Sequence, residues 1–136
     1  MSLSDARQTI YPALRYKDAA GAIRFLKEAF GFTENAVYEG PDDTIAHAQL
    51  SWGPGMVMLG SESNGQDDRL DLPHGPAWIY VVVDDPDAHH DRAVAAGAEI
   101  VQPLTDEDYG SRGYTALDPE GNVWSFGTYQ PVASDG

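Results

Sequence analysis

Four histidines, twenty-two carboxylates and one strand serine, Ser125, hold most of the chemistry this 136-residue sequence offers, and it has no cysteine. Without cysteine there are no disulfides, thiolate metal sites or sulfur nucleophiles, which fits a reducing compartment. Histidine is the side chain that titrates near neutral pH and a common metal ligand. His47 lies in Thr44–Trp52 and has two readings: a strand histidine bonded to its neighbours, or a pocket donor or base. His89 and His90 are adjacent on an expected helix, where neighbours in sequence do not share a face, so both are read as surface groups. His74, between Pro73 and Gly75, is read as structural. Ser125 has no visible base and orienter, so no nucleophile triad is proposed. Neither GxxxxGK nor GxGxxG occurs, so no phosphate-cradling loop is expected.

These groups must be carried by short elements. Thr9–Tyr16 reads as a strand, with Pro12 favouring an edge or strand end. Asp18 caps a helix over Ala19–Phe30, whose Ala22, Ile23, Leu26, Ala29 and Phe30 share a face, and Gly31 stops it. Phe32–Glu39, Thr44–Trp52 and Met56–Gly60 read as strands. A polar stretch over residues 62–75 reads as a linker. The pattern then restarts with a strand at Ala77–Val83. Asp85 and Pro86 start a second helix with Ala88, Arg92, Ala93 and Ala96 on one face, ended by Gly97. Glu99–Gln102 is a short strand and Pro103 to Arg112 an acidic loop. Gly113–Leu117 and Val123–Tyr129 are strands joined by the turn Asp118-Pro119-Glu120-Gly121, in which Glu120 is given no catalytic role.

The order is βαβββ twice. The expected segments are a disordered or vector-derived start (1–7), a first module (8–61), the linker (62–75), a second module (76–130) and a tail (131–136). Tyr11 falls on Trp78 and Asp18 on Asp85 at an offset of 67, while the glycine pairs Gly31/Gly97 and Gly55/Gly121 agree within one residue. The fold class is α+β. Helices covering one face of each sheet would leave the other face open.

The opening, Tyr11-Pro-Ala-Leu-Arg-Tyr-Lys-Asp18 through Phe32, resembles that of vicinal-oxygen-chelate proteins, as does the ending Asp118-Pro119-Glu120-Gly121-Asn122-Val123-Trp124-Ser125-Phe126. The nearest branch is the glyoxalase and bleomycin-resistance group that includes PhnB-like proteins. The resemblance spans residues 8–130 and implies paired βαβββ modules in a cupped mixed sheet around a central cavity, within a homodimer. Some members hold a divalent metal and act as lyases, isomerases or dioxygenases; others hold none and sequester drugs, so fold alone does not choose.

Metal-binding members draw His, Glu or Gln ligands from the first and last strand of each module. The matching positions are taken as Tyr11, Leu59, Trp78 and Ser125, a poor set for an ion that needs about three imidazole or carboxylate ligands. No metal or other cofactor is therefore expected. If these positions face the cavity, strand alternation brings Ala13, Arg15, Val57, Tyr80, Val82, Val123 and Gly127 with them, and Ile45, His47 and Gln49 from the neighbouring strand. Leu14, Tyr16, Met56, Met58, Ile79, Val81, Trp124 and Phe126 should pack under the helices. The candidate ligand-binding set is Tyr11, Arg15, His47, Gln49, Leu59, Trp78, Tyr80, Arg112 and Ser125. Arg112 either holds an anionic group or pairs with the acidic loop, and the aromatics either line a pocket or fill it.

The formal charge of −14 leaves no basic footprint for nucleic acid or anionic lipid. It attracts cationic ligands or simply confers solubility, including in a salty cytoplasm. No apolar run is long enough to span a membrane and no signal peptide is read, so a cytoplasmic location is expected. The leading expectation is metal-free binding of a hydrophobic, aromatic or cationic small molecule. The alternatives are an enzyme with unusual metal ligands or His47 as base, and a dimeric accessory protein with a filled cavity.

Overall fold

The computed structural model describes residues 9–62 and 75–131. The expected start (1–7), all but the ends of the expected linker, His74 included, and the tail beyond Pro131 lie outside them. The chain runs β1 (Ala13–Tyr16), α1 (Ala19–Phe30), β2 (Thr33–Glu39), β3 (Ile45–Trp52), β4 (Gly55–Ser61), then β5 (Trp78–Val82), α2 (Pro86–Ala95), β6 (Glu99–Asp106), β7 (Arg112–Leu117) and β8 (Val123–Gly127). This is the α+β, twice-repeated βαβββ order expected from the sequence.

Local chemistry explains the boundaries. The Asp18 carboxylate accepts the Gly21 N–H at 3.0 Å, and the Asp85 carboxylate accepts that of Ala88 at 3.1 Å, satisfying donors that each first turn leaves open. Gly31 ends α1 at φ +80°, a left-handed turn that glycine adopts without strain. β1 starts only at Ala13, so Tyr11 precedes the strand instead of lying on it. β6 runs on through Pro103 to Asp106, shortening the expected acidic loop; two register shifts accommodate the residues that break its pairing.

Each module forms a four-stranded sheet, in the orders β1-β4-β3-β2 and β5-β8-β7-β6. β1–β4 and β5–β8 are parallel and the other pairs antiparallel. β1 and β5 are edge strands, and the two sheets share no strand pairing.

One core serves both modules. Leu14, Tyr16, Ala48, Leu50, Val57 and Leu59 from the first sheet and Val81, Tyr114, Ala116, Trp124 and Phe126 from the second belong to it, with Tyr114 and Phe126 against His89 of α2 and Trp124 against Phe30 of α1. The helices touch each other. The Phe30 ring of α1 lies 4.7 Å from Phe126 and 5.7 Å from Trp124 of β8. Because both inner faces converge on this core, both open faces turn away from it. The α2 face that is buried consists of Pro86, His89 and Ala93, and not the expected Ala88 and Ala96, which are exposed.

Polar links also join the modules, two of them through the closing turn of the second. The Tyr16 hydroxyl donates to the Asp118 carboxylate at 2.6 Å, which also accepts Trp124 Nε1–H, Asn122 Nδ2–H and two backbone N–H groups. Burial and this carboxylate together push the Tyr16 phenol well above the tyrosine range. The Glu120 carboxylate accepts the backbone N–H groups of Lys17 and Asp18 at 2.7 and 2.8 Å. The closing turn of the second module is therefore also a clamp on the start of α1.

Candidate functional site

The open face of the second sheet is aromatic and hydroxyl-rich. Tyr80, Ser125, Thr115 and Gln102 pair in register, so they form one row across β5, β8, β7 and β6. Trp78 stands two residues before Tyr80 and is 72% exposed. Its indole N–H donates to Ser125 Oγ at 2.8 Å; Ser125 and Thr115 hydroxyls are 2.9 Å apart; Thr115 Oγ1 donates to Gln102 Oε1 at 3.4 Å. Each hydroxyl has one proton, so the chain runs one way: Trp78 to Ser125, Ser125 to Thr115, Thr115 to Gln102. The hydroxyls and the indole N–H are thus committed, and what the row offers a ligand is mainly ring faces.

The Tyr80 hydroxyl donates to the Tyr129 carbonyl at 2.7 Å, and partial burial raises its pKa. Gly127 lies beneath it: a Cβ there would stand 3.0 Å from the Tyr80 hydroxyl. A Cβ at Gly113 would collide with the Phe126 carbonyl. Gly113 must therefore stay bare, while a side chain at Gly127 would press on Tyr80, and the two glycines floor a cleft of about 220 Å³ bordered by Tyr80, Gln102, Glu107, Tyr109, Ser111 and Ser125. Tyr80 also borders a groove of about 450 Å³ between the modules, with Pro12, Phe32, Trp52, Met56 and Ile79.

The first sheet's open face is different. His47 Nε2 and Gln49 Oε1 are 3.0 Å apart, the Gln49 amide donates to Met56 Sδ at 3.5 Å, and the Tyr38 ring stacks 6.1 Å from His47. Arg15, exposed on the edge strand, donates to the Ser61 carbonyl at 3.3 Å. Arg15, His47 and Gln49 thus share the expected face.

Leu59 does not. It pairs with Leu14 and is buried under α1, as is Val57. Met58 and Met56 take the open face in their place. The reason is turn length. Between the pairs Ser51–Met56 and Leu117–Val123 the first hairpin has residues 52–55 and the second 118–122, one more. Matching Gly55 to Gly121 across unequal turns displaced β4 by one residue, and a one-residue slip moves a side chain to the other face. Ser125 corresponds to Met58. Ile45 is also corrected: the irregularity between Tyr38 and Glu39 shifts the phase of β3, and Ile45 is buried towards α1 beside Ala20 and Ile23. Tyr11 is 40% exposed and Trp78 72%, and neither lines the two clefts that Tyr80 borders.

Arg112 pairs chiefly with α2, and also with the last residue of β6. Its guanidinium donates to both oxygens of Asp87, at 2.8 and 3.0 Å, and lies 3.2 Å from Asp106. The Arg112 hydrogen bond holds the Asp87 carboxyl below its usual range. His89, expected at the surface, is buried. Its Nε2 must donate to the Phe30 carbonyl at 2.8 Å, so neutral Nδ1 accepts the Tyr114 hydroxyl at 2.6 Å. Burial lowers its pKa, with the Arg92 charge adding to the effect. The missed signal was the spacing Pro86, His89, Ala93, one helical face that an alanine-only count passes over.

The side chains at the corrected metal positions are a phenol, a thioether, an indole and a hydroxyl: Tyr11, Met58, Trp78 and Ser125. They do not match the imidazole and carboxylate set of a divalent ion, and among the described residues no three His, Asp or Glu cluster as ligands. Among the described residues no helix is long and apolar enough to cross a membrane.

Comparison with known proteins places this geometry. Residues 9–126 match the family model of the Glyoxalase/Bleomycin resistance protein/Dioxygenase superfamily. Protein Rv0887c of Mycobacterium tuberculosis (strain ATCC 25618 / H37Rv) is 37% identical over 126 residues, 89% of this chain and 73% of its own. The crystal structure of TioX from Micromonospora sp. ML1 superposes with a TM-score of 0.78 at 34% identity, covering 90% of this chain and 99% of TioX. The fosfomycin resistance protein FosX from Mesorhizobium loti shares the fold at a TM-score of 0.64 and 15% identity, over 90% and 92% of the two chains.

Proposed function

This chain belongs to the Glyoxalase/Bleomycin resistance protein/Dioxygenase superfamily, and from that premise we propose that it binds a hydrophobic, aromatic or cationic small molecule on the Trp78–Tyr80 face, without a metal. The observation that carries this reading is Trp78 itself. A large indole, 72% exposed, is held in place by Ser125 beside a glycine-floored cleft. Exposed aromatic rings beside a concavity with few uncommitted polar groups suit a flat or cationic ligand, through stacking and cation–π attraction. Binding or sequestration needs no reacting group, and the donor set described above is a weak one for Lewis-acid chemistry.

The protein works as a homodimer in this reading. β1 and β5 are unpaired edges, and Tyr11, Tyr38, Trp78 and Tyr80 are all exposed in the single chain. A second copy is the partner that covers such edges without leaving an open one. Sedimentation velocity should show a dimer; a monomer at tens of micromolar removes this part of the proposal.

Calorimetric titration with flat aromatic amines such as 9-aminoacridine tests the site. Trp78→Ala should weaken binding about tenfold. Equal binding by wild type and Trp78→Ala overturns the assignment. Stoichiometric zinc, nickel, manganese or iron surviving dialysis would overturn the metal-free part.

A further inference from the structure

We infer that the cleft beside Tyr80 is a cation subsite in which Glu107 pairs with a protonated or quaternary amine of the ligand while the Tyr80 and Tyr109 rings lie against it. This rests on the reading of the Trp78–Tyr80 face as a small-molecule site and specifies which end of the ligand goes where.

Charge accounting points to Glu107. Apart from Glu107, the cleft is lined by tyrosine, glutamine, serine, threonine, phenylalanine and glycine, so Glu107 brings its one full charge at neutral pH. Arg112, which starts the strand after the Glu107 turn, is engaged by Asp87 and Asp106. Asp106 is thereby answered, and Glu107 has no ion-pair partner among the described residues. A carboxylate at the mouth of an aromatic cleft, with no cation of its own, is the arrangement that recognises an ammonium group by charge and by ring faces together.

The backbone holds these parts in place. Glu107 N–H donates to the Ser111 carbonyl at 2.7 Å and Gly110 N–H to the Glu107 carbonyl at 3.1 Å, closing a turn with Tyr109 near its tip. Tyr129 ties that turn to the sheet. Its ring meets Tyr109 edge-to-face at 5.8 Å, its N–H donates to Ser111 Oγ at 3.2 Å, and its carbonyl accepts the Tyr80 hydroxyl. The ring faces of Trp78 and Tyr80 take the flat part of the ligand. The amine then reaches past Ser125 to Glu107.

An acidic protein attracts any cation, so the test must separate one carboxylate from the whole field. Two probes of nearly equal shape serve: 9-aminoacridine, protonated at neutral pH, and acridine, neutral there. Both are titrated calorimetrically into wild type, Glu107→Gln and, as a charge-matched control on the exposed side of α1, Glu28→Gln. Wild type should prefer 9-aminoacridine. Glu107→Gln should weaken 9-aminoacridine about fivefold and leave acridine unchanged. Glu28→Gln should change neither. If Glu107→Gln behaves as Glu28→Gln does while acridine still binds in a Trp78-dependent way, the cation subsite is wrong and the aromatic face stands. If neither probe binds wild type, both readings fall. The turn is closed by backbone bonds, so Glu107→Gln keeps the fold, as far-ultraviolet circular dichroism will confirm.

Discussion

On the first sheet Ala13, Met58, Gln49 and Ala36 lie in one row across the strands; in the corresponding row of the second stand Tyr80, Ser125, Thr115 and Gln102. The backbone is nearly the same. Even the bare positions recur, since Gly60 lies under Arg15 as Gly127 lies under Tyr80. One open face carries thioethers, an imidazole, a guanidinium and the Tyr38 ring, and the other the Trp78 and Tyr80 rings and a row of hydroxyls. The inner faces have no such freedom, because both pack into one core where volume decides what fits. A duplicated unit can therefore diverge in chemistry on its open side while its packed side stays apolar. The closing turns diverge as well: Gly53-Pro54 of the first is exposed, whereas Asp118–Asn122 of the second clamps the other module.

The largest way to break this comparison is at that clamp. Asp118→Ala removes the acceptor of five donors, the fully buried Tyr16 and Trp124 among them, and should cost about 3–5 kcal/mol by leaving buried donors unsatisfied. Urea denaturation should show both modules lost in a single transition. Two separate transitions would mean that the core is not shared.

Adjacent residues of β4 sharpen the contrast between faces. Leu59→Ala should cost about 2–4 kcal/mol as a core truncation, while Met58→Ala should cost under about 1 kcal/mol. The reverse order would restore the one-residue-shifted register.

The smallest effect concerns His89, which has no counterpart on α1. Burial depresses its folded pKa, so the unfolded chain takes up its proton first as pH falls. Its contribution is complete above about pH 6.5 and declines below that towards the lowered folded value. Stability measured from about pH 7 to 5 should therefore fall, and His89→Gln should flatten that limb. An unchanged slope in the variant would mean that His89 is not the group responsible.

The legible parts of the sequence were those governed by local rules. Helix starts at Asp18 and Asp85, the stop at Gly31, the strand runs and the doubling of the pattern all rest on neighbours within a few residues, and all are found in the fold. On the candidate site, Trp78, Tyr80, Ser125, Arg15, His47 and Gln49 were placed on the open faces because alternation is also local. Leu59 takes the inner face because one turn is a residue shorter than the other, and with a period of two a single residue exchanges the faces. The burial of His89 is not legible locally, because its partners Phe30 and Tyr114 are 59 and 25 residues away.

By itself the sequence determined two βαβββ modules, their apolar sides and a ring-rich, ligand-poor set of open-side residues, because periodicity and capping act over a few bonds. Only the tertiary structure decided that both modules share one core, that Arg112 is taken up by Asp87 and Asp106, and that Glu107 lines the Tyr80 cleft without a cation of its own. These depend on how segments far apart in the chain pack. Contact energies between such segments leave no period in the sequence to read.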